Sequence, residues 1–165
     1  MGQAQTPSFG FGRERRIRRR ADFLRVQAVG ERATSPHFVL LVARALVGAP
    51  PSRLGIVATR KVGDATIRNR IKRVCRECFR LWPGFVPEGI ELVVIAREGA
   101  DTLTLAKVRE EWTRARPALL KRCESVLGKP PQTAAARDKP RRKANAPPGQ
   151  RPKTSAAAAR PAKKP

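Results

Sequence analysis

Tyrosine is absent from these 165 residues, histidine and methionine occur once each, and only 13 acidic residues face 36 lysines and arginines. Each shortage excludes something. With His37 as the sole imidazole, histidine-based proton relays and metal sites have almost no material. The acids are scattered, and Glu110 and Glu111 fall on different sides of any helix that carries them. No carboxylate pair is therefore set for acid–base hydrolysis, and no catalytic or metal-binding residue is expected in the protein chain. No stretch of 18 apolar residues exists to form a bilayer-spanning helix, and Met1 to Gly12 lacks the apolar core of a secretory signal. Three cysteines make no disulfide framework, which fits a reducing compartment; the expected location is cytoplasmic.

What the chain has in excess is positive charge, a net +23. Self-repulsion on that scale opposes compaction, so a polyanionic partner is expected. Nucleic acid is the leading candidate and an anionic membrane surface a distant second. Part of the charge lies in a tail. Residues 128–165 hold 11 Lys or Arg, one acid (Asp138), eight prolines and no large apolar side chain. Such a composition cannot bury enough surface to offset its ordering entropy, so the tail reads as disordered. Residues 1–127 still carry 25 basic against 12 acidic residues, a net +13. The tail alone does not explain the charge.

Along the remaining chain, residues 1–17 read as a flexible basic segment and 18–127 as one domain. A short helix begins near Ala21 and closes at Gly30. Strand patterns follow over Arg32–Ala45 and Arg53–Thr59, and their closeness suggests antiparallel pairing. Gly63-Asp64 supplies a turn and an N-cap for a helix that runs to Leu81, where Pro83-Gly84 stops it. Ile90–Ala96 is a continuous, β-branched strand expected to be buried. Thr104 caps a last helix, which Pro117 is expected to kink or split. The order α-β-β-β-α-β-α predicts a single-domain α+β fold, a two-layer sandwich of sheet and helices.

The middle helix carries the functional signal. At 100° per residue, Ile67, Ile71, Val74, Cys78 and Leu81 form one apolar stripe, with Cys75 at its border. Arg68, Asn69, Lys72, Arg73, Arg76 and Arg80 share the other face, and Arg70 sits near its far edge. A charged helix face is ordinarily a solvated one. Here Arg68, Lys72 and Arg76 repeat at i, i+4, a spacing that destabilises a helix unless a partner offsets it. Arginine also suits bidentate phosphate recognition. The C-x-x-C of Cys75 and Cys78 lies mid-helix, away from the helix N-terminus that activates a redox cysteine. Only Cys123 and His37 remain to complete a zinc site, so the cysteines read as packing. His37 has no serine or acid at triad spacing.

The block Arg68-Asn69-Arg70-Ile71-Lys72-Arg73, followed by Arg76 and Phe79, resembles the signature of the bacterial ribonuclease P protein. Thr59–Gly63, Asp22-Phe23 with Val26, Phe38-Val39-Leu40 and Arg53-Leu54-Gly55 are similar to the same family. The resemblance runs from about Arg18 to Leu127. It implies a left-handed βαβ crossover, an exception to the usual hand. It also implies a tRNA 5′-maturation endonuclease in which the RNA subunit carries out Mg²⁺-dependent catalysis. The partners so implied are that catalytic RNA and precursor tRNA, with no membrane and no small-molecule substrate. The implied RNA-docking set is Arg60, Lys61, Arg68, Asn69, Arg70, Lys72, Arg73 and Arg76. A cleft between the first helix and the sheet would receive the 5′ leader, with Phe23 and Phe38 stacking on bases. Gln27 stands where relatives often place a second aromatic, so leader binding here is expected to lean more on charge. Two other readings share the charge and size: a structural RNA-binding protein of the ribosome and, from the tail alone, a DNA-condensing protein.

Overall fold

The computed structural model describes residues 11–46 and 51–130. The expected tail therefore lies, from residue 131 onward, outside the described residues. The elements are α1 (Arg20–Val29), β1 (Glu31–Thr34), β2 (Phe38–Arg44), β3 (Arg53–Val57), α2 (Ala65–Arg80), β4 (Ile90–Ala96) and α3 (Leu105–Leu127), with 3-10 turns at Arg13–Arg15, Arg60–Val62 and Ala100–Thr102. The expected α+β order holds.

The strand run expected over residues 32–45 is broken at Ser35-Pro36-His37 into a hairpin, with Glu31 opposite Val42 and Thr34 opposite Val39. The sheet order is β1-β2-β4-β3. The expected antiparallel pairing of the two early strand runs does not occur. β4 inserts between them, antiparallel to β2 with Leu41 opposite Val93, and parallel to β3 with Gly55 opposite Val93. The reason lies in composition. The Ile90–Ala96 segment is buried at six of its seven positions and needs cover on both faces, which a central strand provides. α2 then makes the crossover of a βαβ unit between the parallel neighbours β3 and β4.

Alternation along β2 sends Phe38, Leu40 and Val42 into one core with α2 and α3, and Val39, Leu41 and Ala43 into a second core under α1. Helices thus cover both faces, and the two layers expected from sequence become three. The larger core centres on Trp112, fully buried, its ring stacked on Phe85 at 5.1 Å and edge-on to Phe38 at 6.1 Å.

Two further expectations are corrected. α3 is not split: one helix continues through Pro117, which lies on its exposed side. The N-terminal segment 1–17, expected to be flexible, is anchored at Arg16 and Ile17. Arg16 bridges Leu54, the Ile17 amide donates to the Leu54 carbonyl at 3.0 Å, and the Ile17 side chain enters the core under α1. The segment thereby covers the free edge of β3.

Candidate nucleic-acid interface

α2 starts where the sequence places it. The Asp64 carboxylate accepts from the Ile67 amide at 2.9 Å, and Gly63 precedes it at φ 148°, a backbone region closed to most side chains. A Cβ on Gly63 would also lie 2.8 Å from Cγ2 of Ile67. The buried face is turned from the expected stripe. Ile71, Cys75, Cys78 and Phe79 are buried, Cys75 at its centre, while Leu81 is exposed. Phe79 causes the turn, because its ring meets Phe85 at 6.5 Å and Phe11 at 5.9 Å in edge contacts. The three cysteines are free and buried. Burial pushes the thiols of Cys78 and Cys123 up to about 11 and that of Cys75 higher still, so none is a ready thiolate.

The opposite face is cationic. Asn69, Arg70 and Arg73 are exposed, and Arg68, Lys72 and Arg76 are half-buried. Arg60 and Lys61 are exposed on the 3-10 turn that leads into the helix. Two of these side chains are braced by backbone carbonyls: Arg68 Nε donates to Asp64 at 3.2 Å, and Arg70 Nη1 to Asp101 at 3.0 Å. Arg76 is held below its ordinary pKa by burial and by the nearby Arg16. The one acid on this face, Glu77, is bound by Arg80, whose Nε donates to Oε2 at 2.9 Å. That hydrogen bond lowers the Glu77 pKa and pairs its charge within the helix. The face is thus a row of cations, two of them braced, whose counter-charge must come from outside.

The aromatic residues divide. Phe23 is half-buried, and its ring lies so close to β3 that a Cβ at Gly55 would come within 2.5 Å of it. Gln27 is exposed one turn further along α1. Phe38 is corrected: it is fully buried against Trp112 on the sheet face away from α1, and offers no ring face to a base. Its parity along β2 decides this, since only Val39, Leu41 and Ala43 face α1.

Two buried polar clusters escaped the sequence reading. Glu91, fully buried on β4, is ion-paired with Arg25 of α1 and Arg53 of β3; Arg25 also donates to the Arg44 carbonyl at 3.1 Å. The only signal was an acid inside an otherwise apolar strand. The second cluster joins residues 74 and 76 positions apart. Glu111 accepts from Ser35 Oγ at 2.5 Å and from the His37 amide at 2.8 Å, with His37 Nδ1 at 2.9 Å from its other oxygen. Serine, acid and imidazole are brought together here by the fold, but not as a triad. The serine hydroxyl is bound to the carboxylate rather than to the imidazole, so no nucleophile is activated. Burial opposes the Glu111 charge, but the hydrogen bonds from Ser35 and His37 outweigh it and hold the pKa below the ordinary value. The stabilisation from this contact is present above the unfolded-state pKa and is lost as pH falls through the lowered folded one.

Residues 11–123 match the family model described as Ribonuclease P. A "Ribonuclease P protein component" from Oleidesulfovibrio alaskensis is 42% identical over 98 residues, covering 57% of this chain and 78% of the relative. Another from Thermotoga petrophila is 46% identical over 88 residues, covering 53% and 74%. Among solved structures, the RNase P protein of Thermotoga maritima superposes with a TM-score of 0.55 at 39% identity, covering 65% of this chain and 96% of that one. The Staphylococcus aureus protein gives 0.58 at 28% identity, covering 64% and 94%.

Proposed function

The chain belongs to the ribonuclease P protein family, and on that premise we propose that α2 docks the catalytic RNA while α1 and its flanks meet the 5′ leader of the substrate. The protein is a subunit of the ribonucleoprotein endonuclease that matures tRNA 5′ ends. The observation that carries the proposed division of labour is the α2 face. Arg68, Asn69, Arg70, Lys72, Arg73 and Arg76 lie on one helix, and the acid beside them, Glu77, is neutralised by Arg80. Arg60 and Lys61 extend that surface across the preceding turn. Arginine forks bind phosphate oxygens in bidentate fashion, and fixed phosphate contacts set register and orientation without reading sequence.

The carboxylates near this face do not suit a resident Mg²⁺, which wants several oxygen ligands in octahedral array. Asp64 caps the helix and Glu77 is held by Arg80. In this proposal the metal that activates water for phosphodiester hydrolysis belongs to RNA phosphates. The protein's residues bind, orient and neutralise. Phe23 supplies a ring edge toward the leader, Gln27 a hydrogen-bonding amide, and the cytoplasm is the working compartment.

Reconstitution tests the division. The purified protein, freed of RNA, is expected to leave precursor tRNA intact, and addition of the matching RNA subunit with Mg²⁺ to give one cut at the mature 5′ end. Cleavage by the RNA-free protein overturns the assignment of catalysis to RNA.

A further inference from the structure

Ahead of α1 the structure holds an open cleft of about 810 Å³, lined by Arg13, Glu14, Arg16, Arg18, Arg19 and Asp22, with Arg53, Ala45 and Leu46 closing its far side. Five guanidinium groups face two carboxylates there. Arg53 is engaged by Glu91 and lies 3.8 Å from Asp22. Arg13, Arg16, Arg18 and Arg19 are exposed, and among the described residues none of the four forms an ion pair with an acid. The cluster is also held rather than loose. The Arg16–Leu54 bridge and the Ile17 amide fix the backbone on β3, with Ile17 buried, so the arginines on either side flank an anchored point of the chain. Preorganised cations lose less entropy when they bind.

The cleft is joined to the α2 surface. The Arg15 guanidinium sits over the ring of Phe79 on α2 at 5.4 Å, and Arg16 sits over Phe11 at 5.0 Å, whose edge meets Phe79. Arg76 of the α2 row lies within electrostatic reach of Arg16. Positive charge therefore runs from α2 past Arg16 to the start of α1. The lining contains no aromatic ring, so bases have nothing to stack on.

We propose that Arg13, Arg16, Arg18 and Arg19, with Arg53 closing the far side, form a second phosphodiester-binding site in which the first four supply the contacts, and that it extends the α2 docking surface along the backbone of the RNA subunit. This rests on the reading of α2 given above. The site recognises consecutive phosphates without base preference, whereas α1 with Phe23 meets the leader.

The test uses the full chain with Arg18→Ala and Arg19→Ala combined, since both side chains are exposed. Thermal melting of the variant checks the fold, and Arg13→Ala serves as a second probe on a different backbone segment. Binding to the RNA subunit is measured across a salt series. Loss of two phosphate contacts is expected to lower the log–log slope by about 1.4–1.8. Binding of precursor and mature tRNA by holoenzyme assembled at saturating protein is expected to stay unchanged. Unchanged RNA-subunit binding with weakened precursor binding would place the substrate in the cleft and overturn the proposal. Arg73→Ala on α2 is the parallel control. Silence at the cleft with a normal loss at Arg73 overturns the cleft alone; silence at both overturns the α2 reading with it.

Discussion

Arginine does opposite work in two parts of this molecule. Beneath α1, Arg25 is buried and, with Arg53, paired with a carboxylate that has no solvent exposure. On α2, Arg73 is exposed, and among the described residues it has no ion-pair partner. The first group ties a helix to the sheet, where desolvation makes the loss of either partner expensive. The α2 row weakens its own helix through the i, i+4 repeat of Arg68, Lys72 and Arg76, and gains only when phosphates arrive. Residue type alone therefore does not tell a fold-holding cation from a ligand-holding one. The position of the acids does.

The sharpest way to break the comparison is to remove the buried acid. Glu91→Gln keeps the shape but leaves Arg25 facing a neutral amide in a dry site. Uncompensated buried charge costs about 3–5 kcal/mol, so chemical denaturation is expected to show a fall of that order. Any protein still folded should bind the RNA subunit through α2 much as before. A Glu91→Gln protein of unaltered stability would show that the pair does not tie α1 to the sheet.

Much of this was legible beforehand, and what escaped has a common cause. Period and caps located α2, because Asp64, Gly63 and the 3.6-residue repeat are local signals. The run Ile90–Ala96 announces a buried strand but not its neighbours. Whether β3 pairs with β2 or with β4 depends on contacts about 40 residues apart that no local pattern contains. The same limit explains the Glu91 and Glu111 clusters, whose partners lie 38 to 76 residues away. Phe38 faces the side of the sheet opposite to the expected cleft, because the face of a strand is fixed only by its register. Among candidate RNA contacts, the α2 cations were visible from the helix alone, while the cleft needed Arg53 brought beside Arg18.

Phe23 stands between the two regions, half in the core and half open, and so sharpens the comparison at smaller scale. If its open edge stacks on the leader, Phe23→Ala is expected to weaken binding of precursor to the holoenzyme by about 1–3 kcal/mol, with mature tRNA unaffected. A ring that only packs against Gly55 and Ile17 would instead lower the melting temperature and weaken both RNAs alike. Gln27→Phe adds a ring one turn away on the exposed side, and is expected to raise precursor affinity alone.

The smallest effect belongs to a single exposed cation, and it separates charge from geometry. Arg73→Ala removes an exposed side chain from α2, so folding stability should move by no more than about 0.5 kcal/mol. The salt dependence of RNA-subunit binding should respond, with the log–log slope falling by about 0.7–0.9 for one lost phosphate contact. Arg73→Lys then decides what kind of contact it was. Lysine keeps the charge and hence the slope, but it cannot present two parallel donors to one phosphate. Lower affinity at unchanged slope would identify a bidentate fork, and unchanged affinity a diffuse attraction that any cation supplies. If Arg73→Ala leaves slope and affinity as they were, this position is merely solvated. The docking surface would then have to be sought nearer Arg60 and Lys61.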